Sequence, residues 1–152
     1  MKVIESPAAV ADHVGQELGV SDWVTIDQDR INLFAEATGD HQWIHVDPVR
    51  AERELPTKKT IAHGFLTLSL LPMLMAQTYR VEKVTRGINY GSNKVRFTNM
   101  VPSGSRVRAR CTLKDTSVLK DGGVQMVNEV TVEIDGQQRP ALVAETITVV
   151  YG

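Results

Sequence analysis

At 152 residues, with 42% hydrophobic and 23% charged content, the chain fits one globular domain, 1–152, able to bury a core without staples. A formal net charge of −1 supplies no basic field for nucleic acid. The single cysteine, Cys111, excludes an intramolecular disulfide and any zinc site built from several cysteines.

Met1-Lys2-Val3-Ile4-Glu5-Ser6-Pro7 lacks the apolar core of a signal peptide, so the expected compartment is the cytoplasm. Val10, Ala11, Val14 and Leu18 recur at helical spacing, and Gly19 is placed to stop that helix. Trp23 to Ile26 reads as a short strand. Asp27 is positioned to cap a helix whose apolar stripe is Ile31, Phe34 and Ala35, ended by Gly39. The segment from Asp40 to Asp47 is too polar for a long element, and Pro48 opens a short helix through about Glu54. Leu55 to His63 reads as a loop. From Gly64 to Tyr79 the chain is apolar almost all round, which predicts a helix enclosed by the core and kinked at Pro72. Its greasiest part, Phe65 to Ala76, is about a dozen residues, short of the roughly 20 that span a membrane.

The second half changes period. Val84–Phe97, Arg106–Leu119, Val124–Ile134 and Ala141–Tyr151 alternate and are rich in Val and Thr. Pro102-Ser103-Gly104, Asp121-Gly122-Gly123 and Asp135-Gly136 separate them as turns. Helices followed by strands argue an α+β fold, with a curled antiparallel sheet wrapped around the buried helix.

Titratable groups are densest between Ala37 and Asp47. Asp40 follows a helix-stopping glycine, and His45 lies five positions on, across Trp43 and Ile44. A carboxylate and an imidazole in a partly dry pocket can hold one water between them and exchange its protons near neutral pH. The plainer reading makes Asp40 a turn residue and His45 a satisfied core residue. His41, His45 and Asp47 match no strong metal-ligand spacing, so no metal site is expected. At the start of the greasy helix, Gly64 allows close backbone approach, and its free N–H can hold a developing oxyanion. His63 is a polar candidate at the mouth, or simply a helix-start residue. Asn89-Tyr90-Gly91 breaks a strand pattern, as a bulge does or as close ligand approach requires, so Asn89 and Tyr90 are candidate substrate contacts. Lys94, Arg96, Arg106, Arg108 and Arg110 alternate as on a solvated face, with one or two available to the phosphates of a nucleotide tail.

Three segments in register resemble the MaoC-like dehydratases, or (R)-specific enoyl-CoA hydratases, of the hot-dog fold. Ala37-Thr38-Gly39-Asp40 followed by His45 resembles their signature, and Ile61 to Leu70 resembles the start of their central helix. Asn89-Tyr90-Gly91 and Lys94 to Phe97 resemble the strand that follows. Gly39 to Asp47 is most similar to the short branch that includes nodulation-protein-N-like proteins and mycobacterial 3-hydroxyacyl-thioester dehydratases. Many hydratases carry Asn-Pro where this chain has Gln42-Trp43, which leaves packing around the water open.

The resemblance implies (R)-specific hydration of trans-2-enoyl thioesters, or the reverse dehydration. It assigns Asp40 and His45 as the catalytic pair and the Gly64 N–H as oxyanion donor. It implies no metal or organic cofactor, since coenzyme A belongs to the substrate. It also implies a homodimer joined at a sheet edge. Two other readings stand beside it. An acyl-CoA thioesterase would direct water at C1, yet such hot-dog enzymes commonly place an acid on the central helix, and Phe65 to Gln77 has none. A non-catalytic acyl-thioester binding subunit would not need Asp40 and His45.

Overall fold

The computed structural model describes residues 1–152. Its first elements are β1 (Lys2–Ile4), a 3-10 segment at Pro7–His13, β2 (Glu17–Val20) and β3 (Val24–Ile26). The helix expected across Val10 to Leu18 is therefore not one element. Gly15 has φ +82° and breaks the turn, and Leu18 belongs to a strand. Gly19 is no helix stop: a Cβ there would lie 2.5 Å from the Thr78 carbonyl oxygen, so the glycine serves a close backbone approach.

Asp27 caps α1 (Gln28–Thr38) through the Arg30 N–H at 2.9 Å, and Gly39 ends it in the left-handed region at φ +79°. Ile31 and Ala35 form its buried stripe. A single turn, α2 (Trp43–Val46), follows, then α3 (Pro48–Glu54), with Pro48 in its first turn and Asp47 accepting from the Arg50 N–H.

The central helix is shorter and more broken than its sequence suggests. It comprises α4 (Gly64–Ser69) and α5 (Leu71–Met75), and the chain then leaves it for β4 (Tyr79–Val81). Pro72 offers no N–H to the Leu68 carbonyl, so the ladder stops and a new helix starts with proline in its first turn. Nor is it buried all round. Leu66, Leu70, Leu71 and Leu74 face the core, whereas Phe65 is 66% and Met73 40% exposed.

Four long strands complete the chain: β5 (Arg86–Phe97), β6 (Ser105–Val118), β7 (Val124–Ile134) and β8 (Leu142–Tyr151). They form an antiparallel sheet in the order β2-β6-β7-β8-β5, with β3 also on β6. The turns reverse at Gly104, Gly122 and Gly136, all at positive φ. Val107, Ala109, Val130, Val132, Leu142 and Ala144 cover the inner face beneath α4 and α5. Strand β5 is the free edge, exposed along nearly its whole length. The register shift between Asn89 and Gly91 is the expected bulge. On the outer face Arg106 pairs with Asp135, Arg108 with Glu133, and Arg110 with Glu17 and Glu133, so three of the five alternating cations are already matched. Cys111 is fully buried, and burial pushes its thiol up to about 12, which makes it inert packing.

Candidate active site

Ile61 ties the two halves of the site together. Its N–H donates to the Ile44 carbonyl at 3.0 Å, and its own carbonyl accepts from His45 Nδ1 at 2.7 Å. The next residue, Ala62, donates to Val101 at 2.8 Å, which holds the segment against the sheet side. From α1, Gln28 donates to the His45 carbonyl at 2.7 Å and accepts from the buried Thr60 hydroxyl. The imidazole is thus fixed from both ends. A carbonyl only accepts, so Nδ1 carries the proton, and Nε2 of neutral His45 presents a lone pair.

His63 lies directly against this ring. The two imidazoles stack with centroids 3.8 Å apart and planes 24° apart, and Phe34 closes the other side of His63 at 4.9 Å. His63 Nε2 donates to the Asp40 backbone carbonyl at 3.0 Å, while its buried Nδ1 has no partner. Asp40, His45 and His63 each offer a ligand-type atom, and these lie within 4.8 Å of one another. An ion must sit in the plane of each imidazole that binds it. Two near-parallel stacked rings do not converge that way, so the trio suits proton chemistry better than metal binding. His41 pairs with Glu36 and Asp47 caps α3, so the triplet His41, His45 and Asp47 does not assemble.

Burial differs sharply between the two candidate residues, Asp40 and His45. His45 is 6% exposed, whereas Asp40 is exposed, which corrects the expectation that both occupy a partly dry pocket. Gly39 and the following loop carry Asp40 outward, and the Gln42 N–H lies 3.4 Å from its carboxylate. Desolvation holds the His45 pKa below its ordinary 6.5; the bond to Ile61 opposes that, nearby His63 adds to it, and Asp40 opposes it again. His45 is a usable base only while neutral. The acid limb of kcat/KM, which reports the free enzyme, is therefore expected below pH 6.5. His63→Gln removes a neighbour that disfavours the imidazolium, so the limb should move upward. A pH profile of the two proteins checks both statements.

His45 and Gly64 line one cavity of about 450 Å³, together with Thr67, Phe97, Met100 and Arg139. Gly64 is the first residue of α4, so its N–H has no acceptor within the helix. Asn89 and Tyr90 are not brought here. Asn89 lines a second cavity of about 570 Å³, and Tyr90 stands 71% exposed on the free edge. The sequence reading missed Gln28, Thr67 and Arg139. No local pattern marks them, because each reaches the site through tertiary contact.

A curled antiparallel sheet around a central helix is the hot-dog architecture. The chain belongs to the MaoC-like family: the profile described as "MaoC like domain" matches residues 9–135. It is 55% identical over 147 residues to 3-hydroxyacyl-thioester dehydratase Z of Mycobacterium tuberculosis, covering 97% of each chain. It is 49% identical over 146 residues to Nodulation protein N of Rhizobium leguminosarum bv. viciae, covering 95% of this chain and 91% of the relative. Among solved structures, an unliganded R-hydratase from Pseudomonas aeruginosa superposes with a TM-score of 0.71 at 23% identity, over 95% of this chain and 84% of that one. That structural likeness speaks for the fold.

Proposed function

We propose that the protein is an (R)-specific enoyl-thioester hydratase, working as a hydro-lyase in either direction, with Asp40 and His45 as its acid–base pair. One observation carries the assignment of the pair: a buried imidazole, its Nδ1 committed to the Ile61 carbonyl, lines the cavity that holds Gly64 and has a ring nitrogen within 4.8 Å of an Asp40 carboxylate oxygen. The identity to a named 3-hydroxyacyl-thioester dehydratase supports the reaction class.

Water held between the two side chains loses a proton to the pair as its oxygen adds to C3 of a trans-2-enoyl thioester. Charge builds on the thioester oxygen and is met by the Gly64 N–H. The pair then returns a proton to C2 on the same face, which gives the (R)-3-hydroxyacyl thioester. Protons balance within this cycle without a metal or organic cofactor, and coenzyme A or another phosphopantetheine carrier enters as part of the substrate. Arg139, the cavity's one permanent cation, is suited to meet phosphate at the rim. The second cavity takes the acyl tail. Leu68, Leu71, Pro72 and Met75 give it an apolar helical wall, and α4 contributes residues to both cavities.

The free β5 edge and the exposed Phe65, Met73, Ile88 and Tyr90 suit pairing with a second copy, so the working unit is read as a homodimer. No helix is long and apolar enough to cross a membrane, and the cytoplasm is the compartment we assign.

Crotonyl-CoA tests the reaction. The enoyl-thioester absorbance should fall without release of free thiol. Thiol release would establish a thioesterase instead, and neither change would leave a binding subunit.

A further inference from the structure

The second cavity is not wholly apolar, for the strands that give it Val81, Ile147 and Val150 also carry polar groups into it. Opposite its helical wall, the sheet supplies Asn89, Ser92, Thr146 and Thr148, and Tyr79 also lines it. Register explains the grouping. Ser92 lies across from Thr146, and Thr146 across from Asn128; Asn89 lies across from Thr148. Paired residues share a face, so a row of polar side chains crosses three strands on one face of the sheet.

Asn128 ends this row with its side chain fully buried and its Oδ1 without a partner. Its Nδ2 reaches the Tyr79 hydroxyl at 3.4 Å, a long and weak contact. A buried, unsatisfied amide is costly, and replacing it by an apolar residue of similar shape is often neutral or better. Asn128 stands one strand behind Thr146 and beside Tyr79, both of which line the cavity. A cavity built only for plain hydrocarbon gains nothing from Tyr79 and the flanking hydroxyls. Burial also raises the Tyr79 pKa to about 12, so the phenol stays protonated and keeps a proton to donate.

We propose that this polar row is a specificity site for an acyl chain carrying a hydroxyl group beyond the reacting double bond. The inference rests on the acyl-tail reading of the second cavity. A hydroxyl both donates and accepts, so it can accept from the Tyr79 phenol, which Asn128 positions from behind, and give its proton to the Thr146 hydroxyl on the cavity wall. The hydrocarbon on either side of it packs on Leu71, Pro72 and Met75.

A series of ten-carbon trans-2-enoyl-CoA substrates, with one hydroxyl moved along C5 to C9, tests this against the unsubstituted chain. At one position kcat/KM should exceed that of the plain chain by about tenfold, the worth of one or two well-made neutral hydrogen bonds. Asn128→Leu and Tyr79→Phe should each collapse that ratio towards one. Reading the ratio within each variant cancels any general loss of activity or folded protein. The proposal is overturned if no hydroxylated substrate beats the plain chain in the unaltered enzyme, or if the preference survives both substitutions. Failure of the unaltered enzyme on crotonyl-CoA and on the plain ten-carbon substrate would instead remove the hydratase reading itself.

Discussion

Asp40→Asn is expected to lower kcat by about 10²- to 10⁴-fold, the range that a positioned general acid or base contributes. The carboxylate accepts only a 3.4 Å contact from the Gln42 N–H and is exposed, so the amide replaces it without a packing defect. Stability should change by no more than about 0.5 kcal/mol, as for other surface substitutions. His45→Ala should cost a similar factor in kcat. It also leaves the Ile61 carbonyl without its imidazole donor, so some loss of stability accompanies it. If the two act on one water, the double variant should be scarcely slower than the worse single one. Initial rates of enoyl-band loss, beside thermal unfolding curves, measure both quantities. Near-normal turnover in well-folded Asp40→Asn would take that carboxylate out of the mechanism. Multiplying losses in the double variant would mean that the side chains act on separate steps.

Asp40 and His45 could be proposed as a pair from sequence because they lie within one short segment, where Gly39 sets the exit from α1 and α2 gives one turn. Local rules also located α3, the cap at Asp27 and the strands and turns of the second half. What failed were features decided by distant partners. Helical spacing from Val10 to Leu18 lost to pairing of Glu17 and Gly19 with Thr112 and Cys111 on β6. The apolar run after Gly64 predicts a helix buried on all sides, yet one face of α4 and α5 is open in the single chain, where Phe65 and Met73 stand. A sequence cannot distinguish a side covered by its own sheet from one left for another surface. His63 was legible as a polar residue near the mouth, but its stacking on His45 and its grip on the Asp40 carbonyl required coordinates. Asn89 and Tyr90 were legible as a bulge. Their separation from the His45 cavity follows from their place along β5, whose far end at Phe97 lines that cavity while Asn89 lines the other, and strand periodicity does not report this.

Gly64→Ala is the second change with a large expected effect, and its cause is steric. A Cβ at this position would lie 2.7 Å from Cδ2 and Cγ of Phe97 and 2.9 Å from Cε2. No real Cβ tolerates such contacts, so either the ring or the start of α4 must move. Phe97 ends the β5 edge strand and is 44% exposed, packing edge-on against the also exposed Phe65 at 5.6 Å, so a large loss of kcat is the result expected where the helix start, and not the ring, gives way. Displacing the first turn of α4 moves the Gly64 amide away from the position proposed for the thioester oxygen. Loss of one oxyanion donor typically costs roughly 10²- to 10³-fold in kcat, and that is the loss expected here. Gly64→Ala/Phe97→Ala should recover much of it, because the second truncation removes the obstacle and lets the helix return. The rescue separates two roles for the glycine. If Phe97→Ala restores kcat, Gly64 is required so that the ring can pack against the amide-bearing turn. If it does not, the methyl group itself obstructs the substrate, and the absent side chain is part of the binding surface.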